Sequence, residues 1–105
     1  MQISLHPEAL LDLNSGKDFY AERVGVNLAV NFINEFERTA RLLESYPKFG
    51  TSASISSHLS SGATIRKQPM KHFPYSVVYI VVGEELRILA VAHQSRHPTY
   101  WRARS

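Results

Sequence analysis

Two spacings divide the chain. Ile3 and Leu5 alternate with Gln2, Ser4 and His6, a short half-buried strand that Pro7 ends. His6-Pro7-Glu8 then opens a helix, with proline in the first turn and an acid near the positive end of its dipole. Ala9, Leu13, Gly16 and Tyr20 form one apolar face over residues 7–23, interrupted in composition by Asn14-Ser15-Gly16. Gly25 breaks the pattern, and a second helix is predicted over residues 26–46. Its stripe is Ala29, Ile33, Phe36, Ala40 and Leu43, widened by Phe32 and Leu42, with Glu35, Arg38 and Arg41 on the polar side. The short link Arg23-Val24-Gly25 makes the two an antiparallel hairpin.

After Pro47 the period changes. Residues 47–62 are rich in Ser, Thr, Ala and Gly and read as a long surface loop. Thr64 to Gln68 is a short strand stopped by Pro69, and Tyr75 to Val82 is a β-branched and aromatic run. Leu86 to Ala92 is the last strand, joined to the previous one by a tight turn at Gly83-Glu84. The continuous apolar run of residues 75–82 marks a central strand covered on one or both faces. The predicted order is βααβββ: an α+β domain with the helix hairpin packed on one face of an antiparallel sheet.

At 105 residues and 44% hydrophobic composition the chain is expected to be one domain, residues 1–105, with an ordinary core. Having no cysteine, it lacks a disulfide framework, a thiolate metal site and a cysteine nucleophile. The longest apolar run, Val77 to Val82, is far short of the ~20 residues of a membrane span, and residues 1–7 do not resemble a signal segment. The expectation is a soluble, cytoplasmic protein without membrane association.

Charge is unevenly distributed. Residues 1–47 carry four Lys and Arg against seven Asp and Glu, a net −3, whereas residues 48–105 carry eight against two, a net +6, and four of the five histidines. A basic half suits an anionic partner, whether nucleic acid or an acidic protein. The densest cluster runs from His93 to Arg104, with Arg96, His97, Tyr100, Trp101 and Arg102 in it. Arginines with large rings suit base stacking, phosphate contacts or an anchored protein interface. Trp101 has a second reading, burial against the sheet. Arg66, Lys67, Lys71 and His72 form a smaller basic group; strand alternation lets only one of Arg66 and Lys67 join a shared surface, and Arg66 is the residue expected to do so.

Few chemistries fit this inventory. No glycine-rich phosphate loop or G-x-S-x-G string is present, and His93 and His97 lack a neighbouring carboxylate for a metal, so no cofactor or metal is expected. Metal-free RNA cleavage needs a base, an acid and a cation for the phosphorane; Arg66, Arg96, Tyr100 and His93 have the right types, with no indication of whether they converge.

Three strings, with this element order, resemble the RelE/ParE superfamily of type II toxin-antitoxin toxins over nearly the whole chain. They are Pro47-Lys48-Phe49-Gly50, Phe73-Pro74-Tyr75-Ser76-Val77-Val78-Tyr79, and Ile88 through Trp101. The last is similar to the ParE-like, plasmid-stabilisation branch. The resemblance implies a small toxin neutralised by, and assembled with, a cognate acidic antitoxin. It implies growth inhibition by binding and poisoning DNA gyrase, with Arg66, Lys71, His93, Arg96, His97, Tyr100, Trp101 and Arg102 as the target-binding set. RelE-like members instead cut messenger RNA on the ribosome, and Tyr100 and Arg66 match that pattern. Gln94 and Ser95 stand where arginines are usual, which adds a third reading, a non-toxic homologue that retains its antitoxin.

Overall fold

The computed structural model describes residues 1–52, 64–95, 101 and 104. Strand β1 (Gln2–Leu5) leads into helix α1 (Pro7–Arg23) and helix α2 (Val26–Ser45); strands β2 (Thr51–Ser52), β3 (Arg66–Pro69), β4 (Tyr75–Val82) and β5 (Glu85–His93) complete the described elements. They form one sheet in the order β1-β5-β4-β3-β2. The α+β architecture and the helix hairpin follow the sequence pattern closely.

Two features differ from expectation. The sheet is mixed: β1 lies parallel to β5, pairing Gln2 with Glu85 through Leu5 with Ile88, while the other pairs are antiparallel. Alternation reveals a half-buried strand but carries no information about its direction. The segment read as loop from residue 47 also contributes β2, whose two residues pair with Lys67 and Arg66. So short a strand has no periodicity to detect; of the rest of that expected loop, residues 53–62 lie outside the described residues.

The helix starts and stops have local causes. His6 accepts the Glu8 N–H on its Nδ1 at 3.1 Å and so caps α1. Gly16, which seemed a weak point, is where α1 meets α2: a Cβ there would lie 2.7 Å from the Phe32 ring. Gly83 turns β4 into β5 with φ of 60°, a left-handed value that suits glycine. Between Val78 and Tyr79 the β4–β5 ladder carries a bulge, Leu89 being the extra residue.

Both faces of the sheet are buried, which is why β4 is apolar almost throughout. On one face Ala9, Leu13, Phe32, Phe36 and Leu43 of the helices pack on Val77, Tyr79, Leu86, Ile88 and Val91. Tyr20, Phe32, Phe73 and Tyr75 form a ring cluster at one end, with centroids 4.9 to 6.3 Å apart. On the other face Ile65, Val78, Ile80, Leu89, Ala90 and Ala92 pack with Trp101. Among the described residues no helix is long and apolar enough to cross a membrane.

Candidate functional site

Arg66 begins β3 and sits across from Tyr79 of β4, so its side chain shares the helix-bearing face. One of its terminal nitrogens donates to the Gly50 carbonyl at 2.8 Å. Beside it the Tyr79 hydroxyl donates to the Pro47 carbonyl at 2.7 Å and accepts the Gly50 N–H at 3.0 Å. Burial pushes the Tyr79 hydroxyl's pKa up, against the opposing effects of the Gly50 N–H and the Arg66 charge. Gly50 has no room for a side chain, since a Cβ would stand 2.7 Å from that hydroxyl oxygen. The strings at residues 47–50 and 73–79 are therefore two halves of one lock. Above it opens a cleft of about 730 Å³, lined by Tyr46, Lys48, Phe49, Arg66 and Val81 among others.

Lys67 pairs with Val78, whose side chain lies on the Trp101 side of the sheet. As alternation requires, Arg66 and Lys67 lie on opposite faces, and Ile65 shares the face of Lys67. The register puts Arg66 on the face away from Trp101.

The opposite end of the sheet holds His93 and Lys71. His93 ends β5 across from Tyr75, their rings edge to face at 5.0 Å. Its Nδ1 accepts the Ser95 N–H at 3.0 Å and lies 2.8 Å from the Ser95 hydroxyl. A neutral ring with Nδ1 as acceptor carries its proton on Nε2. His93 borders a cleft of about 230 Å³ with Asp12, Ser15, Gly16 and Tyr75. The adjacent Gln94 N–H donates to the Pro74 carbonyl at 2.9 Å, fixing the β5 end to the β3–β4 turn. Exposed Lys71 lies in that turn, beside His72 with its positive φ of 68°. The carboxyl of Glu35 on α2 is held below the usual range first by the Arg38 hydrogen bond, with smaller contributions from the Lys71 and His72 side. Lys71 thus belongs to the α2 side of the molecule.

These groups do not converge. Tyr79 and Tyr75, which mark the positions of Arg66 and His93, are four residues apart along β4, roughly 13 Å at the usual strand rise. Arg66 and His93 also lie on opposite sides of β4, one on β3 and one on β5. Arg96, His97, Tyr100 and Arg102 lie outside the described residues.

The C-terminal residues that are described are inward-facing. Trp101 is 3% exposed and belongs to the core of the second face, so its ring is not a docking surface; of its two readings, the structure has the buried one. Arg104 is also buried, its guanidinium 2.7 Å from Asp12 Oδ2, 3.3 Å from Glu8 Oε2 and 3.0 Å from the Leu89 carbonyl. Asp12 in turn accepts the Val91 N–H at 3.1 Å. β1 pairs with β5 only as far as Ile88, and beyond it these two side chains satisfy backbone groups on the exposed flank of β5. Sequence reasoning missed this pair. Its one signal was that Glu8 and Asp12, four apart, flank the apolar stripe of α1.

The described geometry can present cations, rings and a cleft, but it does not assemble a base, an acid and a cation around one point. Comparison with known proteins identifies a family. The family model described as "ParE toxin of type II toxin-antitoxin system, parDE" matches residues 3–98. Among solved structures the fold is similar to that of a chain from "Chromosomal ParDE TA system from P. aeruginosa", with a TM-score of 0.73 at 19% identity, covering 89% of this chain and 95% of that one. Among curated proteins none matches the chain. With 96 consecutive positions matched and the architecture in agreement, this chain belongs to the ParE toxin family of type II toxin-antitoxin systems.

Proposed function

We propose that this toxin acts by binding DNA gyrase and stabilising its cleaved DNA complex, and that a cognate acidic antitoxin neutralises it. The observation that carries a binding rather than a cleaving role is the separation of Arg66 from His93. Each is engaged locally, Arg66 by the Gly50 carbonyl and His93 by Ser95. General acid–base cleavage needs its groups within about 3 Å of the reacting atoms. The basic balance of residues 48–105, net +6, favours both an anionic protein–DNA target and an acidic neutralising partner. In this reading an antitoxin helix lies in the groove between the helices and the sheet, with an extended segment along a sheet edge.

Two assays with the purified protein test the target. The expected result is linearised plasmid in a gyrase supercoiling reaction and no toeprint from stalled message in a translation reaction. Cleaved message with unaffected gyrase would replace this reading with a ribosome-dependent ribonuclease. Growth arrest that Arg96→Ala or Arg102→Ala relieves, with folding intact, is expected for a docking role of the C-terminal cluster.

A further inference from the structure

The cleft beside Arg66 has a property that ordinary surface lacks. Tyr46 is 62% exposed and Phe49 56% exposed, and both rings border a cavity of about 730 Å³. Exposed aromatics on a loose loop would mean little. Here the loop is held by three hydrogen bonds: Tyr79 hydroxyl to Pro47 carbonyl, Gly50 N–H to Tyr79 hydroxyl, and Arg66 to Gly50 carbonyl. The rings are thus presented by a preorganised frame, which spares a partner the entropy of ordering them. Rings of this kind, in a concave setting, are the usual anchors of protein interfaces.

The charge around the cleft is of one sign. Lys48 and Arg66 line it, and among the described residues that line it none is acidic. Lys48 makes no ion pair among the described residues. A second apolar groove, between α1 and α2 at Val26 and Val30, is smaller at about 290 Å³, and Lys17, the cation among its described lining residues, pairs with Asp18 at 3.5 Å. An apolar anchor with carboxylates next to it therefore matches the Tyr46–Phe49 cleft and not the interhelical groove.

We propose that this cleft seats an acidic segment of the antitoxin, one large apolar or aromatic side chain entering between Tyr46 and Phe49 while adjacent carboxylates meet Lys48 and the outer side of Arg66. The inference rests on the toxin–antitoxin reading above and adds the site and the chemistry of the contact. Because Tyr46 and Phe49 contribute little to the core, replacing them spares the fold.

The test is calorimetric titration of the purified chain with the antitoxin encoded beside it. Y46S/F49S is expected to weaken binding at least tenfold. K48E is expected to weaken it several-fold, with a flatter salt dependence than wild type, and V30S in the other groove to leave it unchanged. Benzoylphenylalanine placed at position 49, but not at position 30, is expected to photo-cross-link to the antitoxin, a readout that does not require a weakened variant. Wild-type binding with undiminished affinity in both cleft variants and no cross-link from position 49 overturns the site alone. Absence of any binding by the wild-type chain overturns the toxin–antitoxin reading and the site together.

Discussion

The two rims of the sheet use the same residue type for opposite purposes. On the outer flank of β5, Arg104 is enclosed, its side chain 9% exposed, and its charge is spent on Asp12, Glu8 and a main-chain carbonyl. On the β3 side, Arg66 also bonds a carbonyl, yet it lines an open cleft among exposed rings. The difference lies in what each guanidinium meets. β5 outruns β1 and exposes backbone groups that need partners, so there an arginine–carboxylate pair completes the fold. The β3 rim is already closed by the 47–50 turn locked on Tyr79, so part of its arginine is left to face solvent. These two arginines of the basic half therefore do not form one surface: Arg104 serves unmet backbone groups of β5, and Arg66 lines the cleft.

Substitutions can break that contrast. The largest loss is expected for Trp101→Ala, which empties a core position on the second face: about 3–5 kcal/mol by chemical denaturation. If the melting curve is unchanged, the C-terminal segment is not held as described. Arg104→Ala should follow at about 3 kcal/mol, because it removes the guanidinium that pairs with the largely buried Asp12 carboxylate. Asp12→Asn in the same chain should restore part of the loss, whereas a purely additive double variant would contradict the pairing.

On the other rim the expected costs are smaller. Gly50→Ala forces a Cβ to within 2.7 Å of the Tyr79 hydroxyl and 3.1 Å of the Lys67 carbonyl, an overpacking worth about 1–3 kcal/mol. Tyr79→Phe keeps the ring but removes the hydroxyl that serves both Pro47 and Gly50, for about 1–2 kcal/mol. Faster amide exchange at Gly50 in that variant would locate the loss in the 47–50 turn. If Arg104→Ala proved milder than Tyr79→Phe, the ranking of the two rims would be reversed.

The smallest effect concerns the start of β5. Hydrogen bonds from Arg87 and then from Ser4 hold the Glu85 carboxyl below its usual range. A depressed folded pKa contributes stability that is present above the unfolded carboxylate's pKa, about 4.3, and is lost as pH falls through the lower folded value. The stability difference between wild type and Glu85→Gln should therefore be constant near neutral pH and shrink in acid. A difference that grows on acidification would refute the assignment.

Much of this was legible beforehand, and the misses have causes. The two helices, their junction at Gly25, the hairpin at Gly83 and the central position of residues 75–82 all announce themselves through spacing and turn chemistry. Gly16 was misleading as a sequence feature, because its value lies in contact with Phe32 of another helix. The strings at 47–50 and 73–79 were visible as motifs but not as a hydrogen-bonded unit, since Tyr79 and Pro47 are 32 positions apart. Of the candidate site, Arg66 was singled out, but the face it would occupy was not legible. Alternation says that Arg66 and Lys67 diverge but not which of them the pairing with Tyr79 will turn toward the helices.

Periodicity, turn residues and charge balance are local properties of a chain, and they were enough to determine the α+β class and the order of its elements; the family resemblance came from three local strings. The direction of β1, the burial of Trp101, the Asp12–Arg104 closure of β5 and the division of Arg66 from His93 were decided by register and by which backbone groups each strand left unmet. Those depend on contacts between residues distant in sequence, so only the folded chain could decide them.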